Sequence, residues 1–234
     1  MIVPSLLDRE PHVREQMDDP GCDEGALRRT YAQFRVVNAV VAGWRSTYRR
    51  HVRPVLRADR ATTVLDLGCG GGDLARSLVR WAARDGLRVE VIGVDPAPRA
   101  HAWASGRPPV PGVVFRRALS SDLAQEGARF DVVVSNHVLH HHDEAQLQAL
   151  LSDSQRLARR RVVHSDIVRS RLAYLLFSFA TWPFFPGSFI RADGLVSIRR
   201  SYTPGELAAV VPAGWRVERQ RPWRNLVVHD VPGA

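Results

Sequence analysis

The sequence predicts an α/β protein: a doubly wound, mostly parallel seven-stranded sheet with helices on both faces, an N-terminal helical cap and a helical lid insertion after strand 5. Short apolar runs typical of buried strands alternate with segments of helical periodicity. The first run, residues 64–67, leads through a glycine-rich turn into a helix, as such sheets begin. We therefore divide the chain into a cap, residues 1–59, and a main domain, residues 60–234, that includes the lid at 169–201.

Charge and cysteine content restrict the class of partner and the compartment. The net charge is +9, yet all 33 basic residues are arginine and they are spread along the chain, which favours a solvated basic surface over a nucleic-acid interface. Two distant cysteines, Cys22 and Cys69, predict no disulfide and fit a reducing cytoplasm. Acidic residues interrupt the start of the chain, so no signal peptide is expected.

The cap begins with an irregular segment and continues as helix. Residues 1–24 are polar, acidic and broken by three prolines, which predicts partial order. From residue 23 to residue 57, apolar side chains recur at helical spacing and predict one or two helices ahead of the first strand.

Later elements follow from periodicity and end signals. The pattern predicts a helix over 73–84 and strands over 89–94, 113–115, 130–135, 162–163, 215–218 and 225–228. Asp143 with Gln146, and Thr203 with Glu206, have the spacing of capping boxes and predict two helix starts.

An uncharged stretch, residues 172–190, lies between Arg171 and Arg191. Its length would suffice to cross a bilayer, but two prolines and a glycine break its second half, and it separates the fifth and sixth strands of one sheet. We interpret it as a helical lid with an apolar inner face, and we expect at most a peripheral membrane contact.

The glycine turn carries the most specific chemical signal. Glycines at 68, 70 and 72 allow a sharp turn and let a ligand approach bare backbone, next to the N-terminus of the following helix. Asp66 precedes them, and a carboxylate there would repel a pyrophosphate but suit an ammonium group. The second strand ends at Asp95-Pro96, about 20 residues beyond the turn, where an acidic residue can accept hydrogen bonds from ribose hydroxyls.

This stretch, Asp-Leu-Gly-Cys-Gly-Gly-Gly, resembles motif I of the S-adenosylmethionine-dependent methyltransferases with a Rossmann-like fold. The cap segment resembles the entry segment of ubiquinone- and menaquinone-pathway C-methyltransferases, and small-molecule natural-product methyltransferases are similar too. The residues that carry the cap resemblance are Tyr31, Phe34, Asn38, Gly43, Trp44 and Arg45. The resemblance implies S-adenosylmethionine as methyl donor, S-adenosylhomocysteine as product, and an antiparallel last strand inserted beside the sixth.

The resemblance also nominates cofactor contacts. An acidic residue that bonds adenine usually follows the third strand. Ala118 lies nearer to that position and Asp122 comes slightly later, so the adenine contact stays open with Asp122 as the nominated residue. The predicted cofactor-binding residues are Asp66, Gly68, Cys69, Gly70, Gly72, Asp95, Pro96, Asp122, Asn136 and Arg45.

The ends of the parallel strands converge on one rim, which is where acceptor chemistry is expected. A histidine is a natural base for an acidic hydroxyl, and His140 and His141 are the leading candidates, although a histidine at a helix start can serve packing alone. Adjacent histidines diverge in direction, so no metal is expected. The predicted substrate-side residues are Tyr31, Asn38, His137, His164, Asp166, Tyr174, Phe177 and Trp182.

Together these features predict methyl transfer to a small hydrophobic acceptor in a biosynthetic pathway, with an aromatic, phenolic or polyketide hydroxyl favoured narrowly over ring carbon. Three alternatives remain open: C-methylation of a quinone-like ring, methylation of RNA or another macromolecule, and S-adenosylmethionine binding without turnover. The sequence does not indicate an oligomeric state.

Overall fold

A computed structural model of the chain describes residues 4–232. Its strands form one sheet with the order β3-β2-β1-β4-β5-β7-β6. The strands are β1 Thr62–Leu67, β2 Val89–Val94, β3 Val113–Arg116, β4 Phe130–Asn136, β5 Ala158–Ile167, β6 Trp215–Gln220 and β7 Arg224–Asp230.

The sheet has the predicted doubly wound topology. Strands β1 to β5 pair in parallel, and the order reverses between β1 and β4, which opens a crevice at the carboxyl ends of those strands. Strand β7 lies between β5 and β6 and is antiparallel to both. The predicted α/β class and the mostly parallel seven-stranded sheet are therefore confirmed, including the inserted antiparallel last strand.

Helices cover both faces of the sheet. Asp143 and Thr203 cap their helices as predicted, each accepting a hydrogen bond from the backbone N–H three residues on. Two short helices, Pro98–Gly106 and Ser120–Gln125, were not predicted from the sequence. The helices are α1 Glu24–Val41, α2 Trp44–Thr47, α3 Asp73–Arg84, α4 Pro98–Gly106, α5 Ser120–Gln125, α6 Glu144–Leu157, α7 Arg171–Thr181, α8 Ile190–Arg200 and α9 Pro204–Val210.

Two apolar cores lie on opposite faces of the sheet, and β4 contributes to both. Val133 packs into one core with Leu147 and Leu151 of α6, while Val132 and Val134 pack into the other, which includes α3. Such alternation is what a strand buried on both faces produces. The central strands are thereby fixed, and their carboxyl ends are fixed with them.

The N-terminal strap, residues 4–23, packs along the lid helix α8 and is hydrogen-bonded to it. The Gln16 and Met17 backbone N–H groups donate to the Asp193 carboxylate at 2.7 and 3.0 Å. The buried guanidinium of Arg169 donates to the carbonyl oxygens of Leu6 and Leu7. These contacts carry the acidic strap residues to the carboxyl ends of the strands.

The segment after β5 folds into two helices, α7 and α8, that pack on each other. Phe179, Trp182 and Phe184 remain largely exposed on its outer side. Within residues 4–232, no helix combines the length and apolar character that a membrane crossing requires.

Far from the carboxyl ends of the parallel strands, the side chain of Asp131 joins the start of β4 to β1. Its buried carboxylate accepts hydrogen bonds from the Thr63 N–H at 2.9 Å and from two Arg60 nitrogens at 2.8 and 2.6 Å. We expect Asp131→Ala to lower the free energy of unfolding by about 2–3 kcal/mol, because the Thr63 N–H loses a charged acceptor. Urea denaturation measures the loss. Asp59→Ala, which removes an exposed partner of Arg57, is the control; equal losses would contradict the assignment.

Candidate active site

A cavity of about 700 Å³ opens at the carboxyl ends of the parallel strands. Its wall is formed by the glycine turn, the segment after β4, α1, the strap, the lid and the turn between β6 and β7. The predicted donor side and the predicted acceptor side therefore border one space.

The glycines of the turn are required by backbone geometry. Gly68, Gly70 and Gly72 have φ angles of 62°, 51° and 76°, the left-handed region that side chains disfavour. A Cβ atom on Gly72 would also come within 2.3 Å of the Phe115 ring. A Cβ atom on Gly70 would meet nothing within 4 Å, so the backbone there is bare. The turn thus leaves open space for a ligand.

Asp66 lies at the end of β1, beneath the N-terminus of α3. Its carboxyl group is buried and is bonded by the Ala75 backbone N–H, but its Oδ2 atom has no hydrogen-bond partner in the described structure. Burial raises the pKa of Asp66 to about 8. A buried acceptor atom without a partner is costly. The ammonium end of S-adenosylmethionine fits this position, since it would supply both a donor and a positive charge.

Asp95, at the end of β2, faces the same turn. Its two oxygens accept hydrogen bonds from the Gly70 and Ala97 backbone N–H groups, each at 2.9 Å. Burial raises the pKa of this carboxyl group. Each carboxylate oxygen can accept a second hydrogen bond. The residue can therefore take two ribose hydroxyls, with Pro96 next to it in the cavity wall.

Cys69 belongs to the turn and has no nucleophilic character. Its backbone N–H donates to the Val94 carbonyl oxygen at 3.0 Å, which fixes the turn to β2. Burial, together with the nearby Asp66 and Asp95, raises the pKa of the thiol, so the thiol stays protonated.

Two nominated cofactor residues lie away from the cavity wall. The Asp122 carboxylate accepts the Leu119 N–H at 2.8 Å and so begins α5, while Ala118, Leu119 and Ser120 form the wall. Arg45 lies on α2 with its guanidinium over the Trp81 ring, 5.5 Å from the ring centroid. Local helix capping and aromatic packing account for both side chains.

His140 is enclosed by two carboxylates. Its Nδ1 lies 2.8 Å from Asp166 Oδ1 and its Nε2 lies 3.2 Å from Glu15 Oε1, and all three side chains are buried. Burial alone would lower the pKa of His140, but the carboxylates of Asp166 and Glu15 raise it to about 9. The ring is therefore an imidazolium at neutral pH, with both nitrogens protonated and engaged.

His141 has the opposite character. Its ring nitrogens lie 3.8 Å from Glu15 Oε1 and 3.6 Å from Asp18 Oδ2, beyond hydrogen-bond distance. Burial and the adjacent charge on His140 lower the pKa of His141 to about 3. His141 is thus a neutral imidazole in the cavity wall.

His137 and Asn136 follow β4 and are joined by a buried arginine. Arg224 Nη1 donates to His137 Nε2 at 2.9 Å, and Arg224 Nη2 donates to Asn136 Oδ1 at 2.6 Å. Burial and the Arg224 charge hold the pKa of His137 well below its ordinary value. All three residues line the cavity.

The remaining nominated residues divide into two sets. Tyr31, Asn38 and Phe177 line the cavity. The other four do not line it. His164 Nδ1 lies 2.7 Å from Ser135 Oγ, and the Asp166 carboxylate is hydrogen-bonded to His140. Tyr174 packs against Leu6 and Leu195, and Trp182 is 74% exposed.

Sequence reasoning missed two residues of this site, Glu15 and Arg224. Glu15 lies in the strap, where acidic residues are common and no periodicity distinguishes it. Arg224 is one of many arginines and stands just before the predicted last strand. Its position ahead of an apolar run is the only signal, and it is a weak one.

One group in the described structure has the composition of a metal site: Glu15, His140 and His141 offer ligand atoms within 4.8 Å of one another. A metal needs deprotonated ligands. His140 uses both ring nitrogens on carboxylates, and Glu15 Oε1 also accepts the Ser197 hydroxyl at 2.7 Å. The absence of a metal remains our prediction.

Comparison with known proteins identifies the class. Residues 64–161 match the family described as methyltransferase domain. The fold is similar to that of magnesium protoporphyrin IX methyltransferase from Synechocystis PCC 6803 with bound S-adenosylhomocysteine, with a TM-score of 0.50, 18% identity, and coverage of 92% of this chain and 91% of that one. The chain carries a methyltransferase domain of the S-adenosylmethionine-dependent class, which confirms the resemblance of the glycine turn.

Curated relatives are ubiquinone biosynthesis O-methyltransferases. The chain is 32% identical over 146 residues to that of Methylobacterium sp. strain 4-46, covering 59% of this chain and 54% of the relative. It is 38% identical over 88 residues to that of Azorhizobium caulinodans, covering 37% of this chain and 32% of the relative. The matches thus span about half, or less, of the length of these relatives.

Asp66 gives a test of cofactor placement. At pH 6.5 free Asp66 is protonated, and pairing with the ligand ammonium would ionise it, so binding of S-adenosylhomocysteine should release about one proton. Calorimetry in two buffers of different ionisation enthalpy measures the release.

Two variants separate the roles in that experiment. Asp66→Asn should abolish the proton release, whereas Asp95→Ala should keep it while weakening affinity at least ~10-fold, because a charged hydrogen-bond acceptor is lost. Binding to the unaltered protein without proton release would contradict the placement of the ammonium at Asp66.

Proposed function

We propose that this chain transfers a methyl group from S-adenosylmethionine to the oxygen of a small hydrophobic acceptor, an aromatic, phenolic or polyketide hydroxyl in a biosynthetic pathway. One observation carries the proposal: a single cavity runs from Asp66 and Asp95, suited to the donor, to an apolar wall suited to the acceptor. The described part of the cap, residues 4–59, and the lid, residues 169–201, contribute the walls of the acceptor end.

The acceptor end is built from aliphatic and aromatic side chains. Phe34 and Val41 come from α1, Leu176 and Phe177 from the lid, and Trp223 from the turn between β6 and β7. Such a wall excludes water and holds a flat or alkylated molecule by shape. Methyl transfer from a sulfonium depends mainly on alignment and desolvation, which can contribute ~7–11 kcal/mol to the barrier reduction.

The histidines have distinct parts in this proposal. His140 is already protonated and enclosed, so it acts by holding the strap and the strand end together. His141 is neutral and borders the cavity, so its one ring N–H can donate a hydrogen bond to the acceptor oxygen. Its low pKa makes it a weak proton acceptor, which fits an acceptor that ionises readily.

Oxygen is favoured over carbon because the curated relatives are named O-methyltransferases. C-methylation of a quinone-like ring remains the second candidate, since the cap resembles that of such enzymes. The enclosed apolar wall favours a small molecule over RNA. We further propose a cytoplasmic location, no nucleic-acid partner and at most peripheral membrane contact through the exposed lid aromatics.

The test is a methyl-transfer assay with phenols, polyketide enols and quinone-like rings of increasing alkyl length. We expect S-adenosylhomocysteine to form with phenolic or enolic acceptors, and mass spectrometry to place the methyl group on oxygen. The rate should be unchanged by EDTA. Product only on carbon would favour the second candidate. Donor binding without any product would favour a protein that binds without turnover, and strongly salt-dependent binding of RNA would favour a macromolecular substrate.

A variant tests the part of His141. We expect His141→Ala to lower kcat about 10- to 100-fold while changing the affinity for S-adenosylhomocysteine less than ~3-fold, because it borders the acceptor rather than the glycine turn. His12→Ala, at an exposed strap position, is the control. A kcat equal to that of the control would show that the acceptor oxygen contacts a residue other than His141.

A further inference from the structure

Arg224, the first residue of β7, is a buried cation in the cavity wall. Its side chain is among the largest that are fully buried, with 1% of the residue exposed. Its guanidinium contacts three side chains at the carboxyl ends of β4 and β5: Asn136 Oδ1 at 2.6 Å, His137 Nε2 at 2.9 Å and Ser165 Oγ at 2.9 and 3.2 Å.

None of these partners carries a negative charge. Among residues 4–232, no carboxylate lies within ion-pair distance of Arg224, and the nearest acidic influence, Asp166, is bonded to His140. Arg169 offers a contrast: it is also buried, but its guanidinium pairs with the Glu206 carboxylate, and it does not line the cavity. A buried cation without a counter-charge is costly unless a ligand supplies one.

The guanidinium also has a donor to spare. Of its five N–H bonds, the contacts above use one on Nε, two on Nη2 and one on Nη1, so one Nη1 N–H has no partner in the described structure. His137 accepts a hydrogen bond on Nε2 and is neutral, so its proton is on Nδ1. The same wall therefore offers a charged N–H and a neutral N–H.

We propose that Arg224 binds an anionic oxygen of the acceptor, so that the acceptor enters the site already ionised. The inference rests on the proposed function and narrows it to acidic hydroxyls, that is, to phenols or enols. It accounts for a site in which one histidine is already protonated and its neighbour is a poor base: the acceptor proton goes to solvent before the reaction.

The chemistry balances without a protein base. The anionic oxygen attacks the methyl carbon, the O–C bond forms, and the C–S bond breaks with its electron pair left on sulfur. A cationic donor and an anionic acceptor give two neutral products. Methylation removes the negative charge that paired with Arg224. The neutral product is therefore held less tightly, which favours its departure.

The test uses 4-nitrophenol bearing a hexyl chain, whose ionised form absorbs visible light, bound in the presence of S-adenosylhomocysteine. On the unaltered protein, the apparent pKa of the bound phenol should fall by at least about one unit, equivalent to about tenfold tighter binding of the anion relative to the neutral form. In Arg224→Met the shift should vanish, and in Arg224→Lys part of it should remain.

Two further probes separate charge from structure. The matching 4-nitroanisole, which cannot ionise, should bind Arg224→Met and the unaltered protein equally. The matching nitrobenzoate tests another source of the anion: if it, rather than the phenol, loses affinity in Arg224→Met, Arg224 binds a carboxylate and the inference is overturned. Affinity for S-adenosylhomocysteine and the melting temperature check that the variants fold.

The inference is overturned if no probe shows a difference between the unaltered protein and Arg224→Met, if the anisole loses as much affinity as the phenol, or if the unaltered protein binds neither anion. None of these measurements uses methyl transfer. A failure of the proposed function would appear instead as absence of product in the acceptor assay, with probe binding intact.

Discussion

The buried imidazolium of His140 is the contact on which the site depends. It joins Asp166 at the end of β5 to Glu15 of the strap, and Glu15 in turn accepts the Ser197 hydroxyl of α8. Three parts of the chain that are remote in sequence thereby meet at one ring. The positive charge between them lowers the pKa of both buried carboxylates, because a buried charge must be paired. The end of β5, the strap and the lid helix α8 are consequently held together at one side of the cavity.

The charge on His140 also fixes the character of its neighbours. Together with burial, it lowers the pKa of His141, the base that the sequence predicts, to about 3. What remains is a cavity with acidic groups, Asp66 and Asp95, at the donor end and the cation Arg224 at the acceptor end. A cationic donor and an anionic acceptor complement that polarity. In our proposal, Arg224 stabilises the ionised acceptor, and no residue of the site has to remove its proton.

The sequence was sufficient where the determining contacts are local. Strand runs, the glycine turn, and the caps at Asp143 and Thr203 depend on residues a few positions apart, and the structure confirms them. Roles set by distant contacts could not be predicted: Glu15 meets His140 across 125 positions, and Arg224 meets Asn136 across 88. At Asp122 the residue type is acidic and its position is near the one expected for an adenine contact. In the structure, its carboxylate accepts the Leu119 N–H and begins α5.

The position of Arg224 follows from the direction of its strand. In the parallel part of the sheet, only the residues that end a strand reach the catalytic rim. Strand β7 is antiparallel to β5, with Arg224 opposite Ile167 and Asn225 opposite Asp166, so its first residue arrives where β5 ends. A parallel β7 would begin at the opposite edge, far from the cavity. The inserted antiparallel strand therefore does more than complete the sheet: it brings the start of a strand, and with it a buried cation, to the rim where we propose that the acceptor binds.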